Sequence, residues 1–343
     1  MERVRQVKIV ITGNQGYLGS VLSGLLRERG HHVLGYDTGF FISSSPQPRQ
    51  DVRKITGSHL VGCDAVVNLA ALCNDACGDL SSRATHEINE ASAVDLAVLA
   101  RSVGIKRYVQ VSSCSVYGAA GESEVNESSL TVPQTAYAES KINAERSLSL
   151  IASHSFSVVA LRLATLFGAS PSLRSDVLLN RMIGTAIRWK SINVSGDGSI
   201  RRPLLHVADA AHAIETVLTA EQYRLPHMVY NVGANEQNYC LEEIAELVKE
   251  AHPQARIHRV AALDQRSYRV RFDRFREAFP EWAPIKTPAD ALPELFDAYR
   301  RALADCTVPN DHDWGVTDRR EHLLALQSKG LLQQGFYWAR QEL

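Results

Sequence analysis

The chain has 343 residues, of which 45% are hydrophobic and 22% are charged, and its formal net charge is −1. This balance, with no basic run, argues against a nucleic-acid-binding surface, and no apolar stretch has the length of a membrane span or a signal peptide. We therefore expect a cytoplasmic protein with no nucleic acid or membrane among its partners. Six cysteines without paired two-residue spacing indicate reduced thiols, and no His or Cys pair near Cys73 and Cys77 completes a metal site.

The first predicted strand, at residues 7–12, runs directly into three glycines spaced three residues apart. In this pattern the first glycine permits a tight turn, the second lets backbone N–H groups approach a pyrophosphate, and the third lets the next helix pack closely on the strand. Leucine and valine at helical spacing follow, up to Gly30. The pattern predicts a dinucleotide held by Gly13, Asn14, Gln15, Gly16, Tyr17, Leu18 and Gly19.

The second predicted strand, at residues 31–37, ends on Asp37, eighteen residues after Gly19. A carboxylate at that position accepts hydrogen bonds from both hydroxyls of an adenosine ribose and repels a 2′-phosphate. Asp37 therefore favours NAD over NADP as the dinucleotide.

Strand and helix patterns continue to alternate as far as residue 232. Strands are predicted at 65–70, 107–111, 157–162 and 228–232, and helices at 88–103, 136–153 and 209–218. A polar stretch at 169–176, rich in Ser, Pro and Arg, interrupts the repeat. The alternation predicts an α/β fold, a Rossmann-type doubly wound parallel sheet, with a smaller, discontinuous α/β lobe that binds the substrate.

The interruption of the repeat also suggests domain boundaries. We assign residues 1–165 and 206–234 to the NAD-binding domain, and residues 166–205 and 235–343 to the substrate-binding lobe. The end of the chain carries enough apolar surface for helices docked on that second lobe. Its aromatic residues include Trp314, Tyr337 and Trp338.

Tyr137 and Lys141 place a phenol and an ammonium group one turn apart on the same face of a predicted helix. A free tyrosine has a pKa of about 10 and is a poor base at neutral pH. A neighbouring cation, helped by the positive charge of oxidised nicotinamide, stabilises the phenolate and lowers that pKa. We therefore predict that Tyr137 is a general acid/base.

A hydroxyl-rich segment lies 24 residues before Tyr137, where a parallel strand ends at the ligand-binding edge of the sheet. With this segment, the chain resembles the extended short-chain dehydrogenase/reductase family, and specifically its NAD-dependent epimerase/dehydratase branch, which acts mostly on nucleotide-linked sugars. The resemblance covers about residues 7 to 300. The motifs that carry it are Thr12-Gly13-x-x-Gly16-x-x-Gly19, Asn68-Leu69-Ala70-Ala71, Ser113-x-x-Val116-Tyr117-Gly118, Tyr137-x-x-x-Lys141, and Gly196-Asp197-Gly198 followed by Arg202 and His206-Val207-x-Asp209.

The resemblance implies roles for particular residues near the cofactor. Ser113, four positions before the tyrosine of the Val-Tyr-Gly segment, would hydrogen-bond the reacting sugar oxygen and form a catalytic set with Tyr137 and Lys141. The implied cofactor-binding residues are Asp51 and Val52 at the adenine, Leu69, Ala70 and Ala71 at the end of the third strand, Tyr137, Lys141 at the nicotinamide ribose, and Asn89, which supports the Lys141 region.

The resemblance also implies contacts with the substrate. Arg202 matches a contact to the substrate diphosphate, since its fork of N–H donors suits two phosphate oxygens. Arg266 and Arg269 are candidates for a second phosphate clamp, and we retain Arg266 as the site residue. Thr165 stands where many sugar epimerases have an Asn that contacts the nucleotide sugar. The remaining residues expected at the sugar are Ser113, Cys114, Ser115 and the loop 72–78.

Two departures from the family pattern narrow the chemistry. Cys114 and Ser115 stand where the family's dehydratases and decarboxylases carry acidic residues, and neither side chain can replace a carboxylate. Elimination of water from a sugar needs that additional acid and base, so 4,6-dehydration is disfavoured. Thr165, in place of Asn, can make only part of the family's usual contact with the nucleotide sugar, which argues against the usual hexose substrate.

Three functions therefore remain open at the level of sequence. The leading hypothesis is an NAD-dependent epimerase that forms a transient keto sugar, and the close alternative is a ketoreductase of a nucleotide-linked 4-keto sugar, dependent on NADH or NADPH. A regulatory protein that binds NAD without turnover is disfavoured because the catalytic set is complete. The resemblance further implies a homodimer formed through helices near 89–103 and 137–153.

Overall fold

The computed structural model describes residues 6–41, 49–121, 123–261, 266–305 and 318–339. Its strands, in chain order, are β1 (Lys8–Thr12), β2 (His32–Tyr36), β3 (Ala65–Asn68), β4 (Arg107–Ser113), β5 (Glu124–Val125), β6 (Ser157–Leu163), β7 (Thr165–Phe167), β8 (Ser191–Ser195), β9 (Arg201–His206), β10 (Val229–Val232), β11 (Asn238–Cys240), β12 (Arg256–Val260) and β13 (Arg269–Val270). Its α-helices are α1 (Tyr17–Glu28), α2 (Asp75–Gly78), α3 (Ser82–His86), α4 (Ser92–Ser102), α5 (Ala136–Ile151), α6 (Leu178–Trp189), α7 (Val207–Thr219), α8 (Leu241–Ala251), α9 (Asp273–Ala278), α10 (Pro288–Asp305) and α11 (Arg319–Ser328).

A six-stranded parallel sheet forms the centre of the larger lobe, with strand order β10-β6-β4-β3-β1-β2. The order reverses direction between β1 and β3, because β2 lies on one side of β1 and β3 on the other, as in a doubly wound fold. The carboxyl ends of the strands meet at one edge. The predicted Rossmann-type sheet is confirmed. Ligands bind in such folds at the crevice beyond that edge.

Both faces of this sheet are covered by helices because the side chains of each strand alternate in direction. In β1, Ile9 and Ile11 pack into one apolar cluster with α1 and α7, whereas Val10 packs into another with α4 and α5. The result is a three-layer arrangement in which the strands are buried on both sides.

The smaller lobe has an apolar cluster of its own, drawn from residues 167–204 and 241–303. Helices α6, α8 and α10 pack there against the parallel pair β8 and β12. The strands β7, β9 and β11 form a separate three-stranded sheet in the order β11-β9-β7. The second lobe is thus built from separate stretches of sequence, and the chain crosses between lobes more than once.

The helix predicted at 88–103 differs from the observed one. Ser81 caps the amino end by accepting a hydrogen bond from the Ala84 N–H, so α3 begins at Ser82. A π-helical turn over Glu87–Ala91 then joins α3 to α4. Periodicity of 3.6 residues does not predict such a turn, because a π-turn adds one residue to the repeat.

The prediction that the C-terminal segment docks on the smaller lobe is wrong for the apolar residues within 318–339. Leu323, Leu332 and Phe336 pack with Val10 and Phe40 in an apolar cluster on the central sheet, and Arg319 alongside them bonds Ser172 of the smaller lobe. Trp314 lies outside the described residues. None of the described helices is both long enough and apolar enough to cross a membrane.

Candidate active site

A cavity of about 670 Å³ runs along the carboxyl edge of the central sheet and continues into the cleft between the two lobes. Most of the residues singled out from sequence line it. They are Gly13, Gly16, Tyr17, Leu18, Gly19, Asp37, Asp51, Val52, Leu69, Ala70, Ala71, Ser113, Ser115, Tyr137, Lys141, Thr165, Arg202 and Arg266. Asn14, Gln15, Asn89 and Cys114 do not line the cavity.

The glycine turn has the geometry that its spacing predicts. Gly13 adopts φ +73°, a backbone conformation that favours glycine. A Cβ at this position would lie 2.9 Å from the Ala70 nitrogen, which is closer than Cβ atoms approach other atoms in proteins. A Cβ on Gly19 would overlap the Gly13 carbonyl oxygen, so the close packing of α1 on β1 requires glycine there. Gly16 caps α1, and the amino end of the helix faces the cavity. Such an end favours an anion.

Asp37 lies beside this turn, just after β2. Its carboxylate accepts hydrogen bonds from the Gln15 N–H at 3.1 Å and from the Gly39 N–H at 2.8 Å. Burial nevertheless raises the pKa of Asp37, although these two hydrogen bonds and Arg319 oppose the shift. The backbone N–H of Gln15 thus helps to orient the carboxylate.

The predicted adenine-side residues lie on the next wall of the cavity. The Asp51 carboxylate is held by Arg53, whose Nη2 lies 2.6 Å from Oδ2, and it caps the short helical turn that begins at Val52. Val52 is buried against the cluster that includes Phe40 and Leu60. Asp51 is therefore fixed in place before any ligand binds.

Ser113, Tyr137 and Lys141 converge at the middle of the cavity. Ser113 ends β4, and its Oγ accepts a hydrogen bond from the Ser115 N–H at 3.1 Å. Tyr137 and Lys141 lie on α5, whose amino end is capped by Thr135. Lys141 Nζ donates to the Val111 carbonyl at 2.9 Å and lies 5.7 Å from the centre of the Tyr137 ring.

The electrostatics of this group differ from the sequence-based expectation. Burial raises the pKa of Tyr137, and the nearby Cys73 and Asp75 act in the same direction, while Arg174 and the Ser113 hydroxyl oppose it. Burial lowers the pKa of Lys141 to about 8. In the protein alone, desolvation therefore outweighs the stabilisation that we expected Tyr137 to receive from Lys141.

Asn89 supports this group from behind the cavity wall. It lies in the π-helical turn, where Oδ1 accepts a hydrogen bond from the Leu72 N–H at 2.8 Å and Nδ2 donates to Ser140 Oγ at 3.1 Å. Ser140 immediately precedes Lys141 on α5. Asn89 therefore connects the strand-end loop to the helix that carries Tyr137 and Lys141.

The two residues after Ser113 have different surroundings. Cys114 is buried, and its thiol donates to the Arg162 carbonyl at 3.3 Å, so its predicted contact with the sugar does not agree with its position. Burial also raises the pKa of the Cys114 thiol. Ser115 lines the cavity. The short 3₁₀ turn Cys114–Tyr117 that follows β4 thus places Cys114 in the core and leaves Ser113 and Ser115 at the cavity.

Arginines concentrate at the far end of the cavity. Arg202 Nη1 donates to the Arg201 carbonyl at 2.9 Å and to the Arg266 carbonyl, and its guanidinium lies over the Tyr268 ring at 5.2 Å. Arg266 forms an ion pair with Asp75 at 2.7 Å.

Arg269, the alternative to Arg266, pairs with Glu124 on β5 and does not line the cavity. Of the two candidate arginines, Arg266 is the one directed inward. Thr165 lies on the cavity wall at the start of β7.

Sequence reasoning missed several residues of the cavity wall, and two of these are the buried arginines Arg174 and Arg319. Arg174 is buried and pairs with Asp176 through two hydrogen bonds of 2.8 Å, and its Nη1 lies 3.4 Å from Cys73 Sγ. Arg319 reaches the cavity from the C-terminal segment. The polar stretch at 169–176 was a visible signal for Arg174, whereas nothing in the local sequence pattern marked Arg319. No cluster of three or more metal-ligating side chains occurs in the described part of the chain.

A Rossmann sheet with an anion-binding glycine turn, a ribose-binding carboxylate and a Tyr-Lys pair in one cavity defines an enzyme that uses a dinucleotide for redox chemistry. The residues fit NAD, because the turn leaves no room for a Cβ at Gly13 or Gly19 and Asp37 is held with its carboxylate at the adenosine side.

Comparison with known proteins identifies the family. A family model described as the NAD dependent epimerase/dehydratase family matches residues 9–233. The chain belongs to this family, and its cofactor is NAD.

Individual relatives include both epimerases and dehydratases. The chain is 27% identical over 281 residues to the uncharacterized UDP-glucose epimerase YtcB of Bacillus subtilis, a match that spans 74% of this chain and 84% of the relative. It is 29% identical over 160 residues to the dTDP-D-glucose 4,6-dehydratase of Mus musculus, a match that spans 46% of this chain and 44% of the relative. Among solved structures, MoeE5 in complex with UDP-glucuronic acid and NAD has a TM-score of 0.78 at 24% identity and covers 86% of this chain and 100% of its own.

Proposed function

We propose that this protein is an NAD-dependent epimerase that inverts one carbon of a nucleotide-linked sugar through a transient keto intermediate. The observation that supports it best is the convergence of Ser113, Tyr137 and Lys141 in one cavity, between the NAD-binding turn and the arginines Arg202 and Arg266. Ser113, Tyr137 and Lys141 beside bound NAD suit redox chemistry at an oxygen-bearing carbon. The two arginines suit a substrate diphosphate.

In this proposal Tyr137 takes the proton from a sugar hydroxyl, and Ser113 hydrogen-bonds the same oxygen. Lys141 supports the charge on the phenolate and holds the nicotinamide ribose. NAD held by the glycine turn and Lys141 would supply the acceptor for a hydride from the sugar carbon and the donor that reduces the opposite face of the keto sugar. Tyr137 then gives the proton back, so that no net oxidation occurs. The charge of the oxidised nicotinamide offsets the burial that raises the pKa of Tyr137.

The sugar end of the cavity supports epimerisation over dehydration. Dehydration needs a carboxylate on the turn that follows Ser113, and this turn carries a buried thiol at Cys114 and a hydroxyl at Ser115. Asp75, an acidic residue that also lines the cavity, already pairs with Arg266. The epimerase relative also matches 74% of the chain, against 46% for the dehydratase relative.

The substrate contacts in this proposal come from both lobes. Arg202 and Arg266 bind the diphosphate, and Thr165 and Ser115 contact the nucleotide sugar, while Asp37, Asp51 and Val52 hold the adenosine of NAD. A homodimer formed through α4 and α5, a cytoplasmic location and a place in carbohydrate biosynthesis complete the proposal.

A screen of UDP-, dTDP-, GDP- and CDP-linked sugars by mass spectrometry and NMR tests the function. Conversion of one sugar into its epimer without added cofactor, and without change in total NADH, is the expected result. Stoichiometric loss of NADH with a keto sugar would instead identify a ketoreductase, which needs the same Ser113, Tyr137 and Lys141. Full biological activity in a Tyr137→Phe variant would contradict both and point to a regulatory protein.

A further inference from the structure

The C-terminal residues Asp318–Ala339, called here the strap, lie across the loop that follows β2. Trp338 Nε1 donates to the Thr38 carbonyl at 2.8 Å, and His322 Nε2 lies 2.6 Å from the Phe40 carbonyl oxygen. Arg53 fixes the other side of the strap by donating to the Gly335 carbonyl at 2.8 Å and to the Phe336 carbonyl at 3.0 Å. Because Arg53 also holds Asp51, the strap is tied to the adenosine side of the NAD site.

Arg319, in the first turn of α11, is the strap residue that lines the cavity. It is only 2% exposed and lines the cavity wall, with its guanidinium 3.8 Å from the centre of the Phe41 ring. Its Nη2 donates to Ser172 Oγ at 3.0 Å, while the buried Nε–H has no hydrogen-bond partner. Within the described residues, no carboxylate lies at ion-pair distance from Arg319.

The surroundings of Arg319 place it near the glycine turn. The Ser172 N–H donates to Ser170 Oγ at 3.1 Å, and Ser170 Oγ donates to the Tyr17 carbonyl at 2.7 Å, in the first turn of α1. Arg319 also lies near enough to Asp37 to lower the pKa of that carboxyl group, as it does for Asp176. The arginine is therefore linked through Ser172 and Ser170 to the amino end of α1, with Asp37 nearby. In a Rossmann fold the diphosphate of the dinucleotide occupies that position.

A buried cation without an anionic partner is costly. Burial lowers the pKa of Arg319 and Arg174 acts in the same direction, while Cys73, Asp176 and Asp37 oppose the shift. The net effect destabilises the charged guanidinium in this position. A bound phosphate group would offset this cost and provide an acceptor for the Nε–H. The arrangement is that of an anion site completed by the ligand.

We propose that Arg319 binds the diphosphate of NAD and that the strap thereby retains the cofactor between turnovers. The inference rests on the proposed function only in its use of the NAD site. It deepens that function, since an epimerase regenerates its NAD in each cycle and has no need to release it. A ketoreductase, in contrast, must exchange the cofactor every time.

The diphosphate of the nucleotide sugar is the other possible source of this anion. Arg202 and Arg266 contact each other at the opposite end of the cavity, beside Tyr268, whereas Arg319 shares its surroundings with Tyr17, Asp37 and Phe41. The position of Arg319 thus assigns it to the cofactor rather than to the substrate.

The test compares Arg319→Gln with the matched control Arg320→Gln in the full chain. Arg320 is the neighbouring residue, and its side chain pairs only with the solvent-exposed Glu321 in the described structure. After removal of bound nucleotide, NAD and UDP affinities are measured by calorimetry, and NAD release is followed by rapid dilution. We expect roughly 10- to 100-fold weaker NAD binding and faster release for Arg319→Gln, with UDP binding unchanged and Arg320→Gln within twofold of the parent.

Two further ligands separate a phosphate contact from an indirect effect. ADP-ribose, which carries the diphosphate, should lose affinity as NAD does, while adenosine should bind both proteins equally. Unchanged NAD affinity, equal losses for adenosine and ADP-ribose, or a loss confined to UDP would each overturn the inference. Because the readout is binding, a protein that epimerises none of the sugars tested can still support it.

A second variant covers the case in which Arg319→Gln does not fold. Trp338→Phe keeps an aromatic ring but removes the Nε1–H that bonds the Thr38 carbonyl. We expect faster NAD release with no change in the charge of the site. Release at the parental rate would contradict the role of the strap.

Discussion

At the scale of single residues, the cavity buries two groups, Lys141 and Tyr137, whose charged forms are costly to remove from water but are needed for proton transfer. Lys141 is a buried cation whose Nζ bonds only a neutral carbonyl, and Tyr137 is a buried phenol. Both residues could be identified from sequence, because four-residue spacing on a helix fixes their relative position. The direction of their pKa shifts could not, because desolvation depends on the whole cavity.

The first prediction concerns the cost of burying Lys141. In NAD-free protein at pH 7, Lys141→Met should raise the free energy of unfolding by about 1–2 kcal/mol, because the avoided desolvation exceeds the lost hydrogen bond to Val111. The same variant should lose at least about 100-fold in epimerisation rate. Urea unfolding measures the first effect, and exposed Lys106→Met is the control that should change neither. A less stable Lys141→Met protein would contradict the argument.

The second prediction concerns how the contribution of Lys141 to the free energy of unfolding changes with pH. The folded pKa of Lys141 is about 8, below its ordinary value of 10.5. Between these values the unfolded chain binds a proton that the folded chain does not, so this residue makes the free energy of unfolding increase with pH, by about 3 kcal/mol in total. Below pH 8 the cost of the buried charge is present in full.

Urea titrations of the NAD-free parent and Lys141→Met proteins from pH 7 to 10.5 measure this slope. The stability advantage of Lys141→Met should fall as pH rises and then change sign, because the gain of about 3 kcal/mol by the parent exceeds the advantage of about 1–2 kcal/mol at pH 7. A difference that stays constant over the range would show that Lys141 is already neutral or not desolvated.

At the scale of elements, the sequence predicted the six strands of the central sheet and the helices α1, α4, α5 and α7, because each has a clear apolar period. It failed at Glu87–Ala91, where the π-turn shifts the period and brings Asn89 against Leu72. That contact joins residues 17 positions apart, and a local pattern does not contain it. The close approach of α1 to β1 is the opposite case, since the spacing of the glycines encodes it directly.

The third prediction uses two glycines of α1 as a matched pair. Gly19→Ala should lower the free energy of unfolding by about 1–3 kcal/mol and weaken NAD binding, because its Cβ would overlap the Gly13 carbonyl oxygen and displace the helix end. Gly24→Ala should instead stabilise the protein by about 0.5–1 kcal/mol, since nothing lies within 4 Å of its Cβ. Chemical unfolding and NAD titration give both values, and equal behaviour of the two variants would refute the packing argument.

At the scale of the whole molecule, two lobes and the strap enclose one continuous cavity. The glycine turn and Ser113 lie at the ends of strands of the parallel sheet, and Tyr137 and Lys141 lie on α5, while Arg202 and Arg266 belong to segments of the smaller lobe. Helices α4 and α5 lie side by side on the outside of the sheet. They expose Val98 to 52% and Leu150 to 86%.

The fourth prediction concerns the proposed homodimer. If α4 and α5 form the interface, the parent protein should have the mass of a dimer in light scattering after gel filtration, and Val98→Lys should shift it toward monomer. Leu331→Lys is a control on the strap, where an exposed apolar residue lies away from these helices. A parental monomer, or equal behaviour of the two variants, would contradict this interface.

The sequence by itself determined the doubly wound sheet, the NAD turn, Asp37 and the Tyr137-Lys141 pair, because each depends on residues that are close together in the chain. Only the tertiary structure decided that Cys114 faces the core, that Arg266 rather than Arg269 enters the cavity, and that the strap covers the NAD-binding domain. Those outcomes depend on contacts between distant segments, such as Arg319 with Ser172, and on the desolvation that such contacts impose.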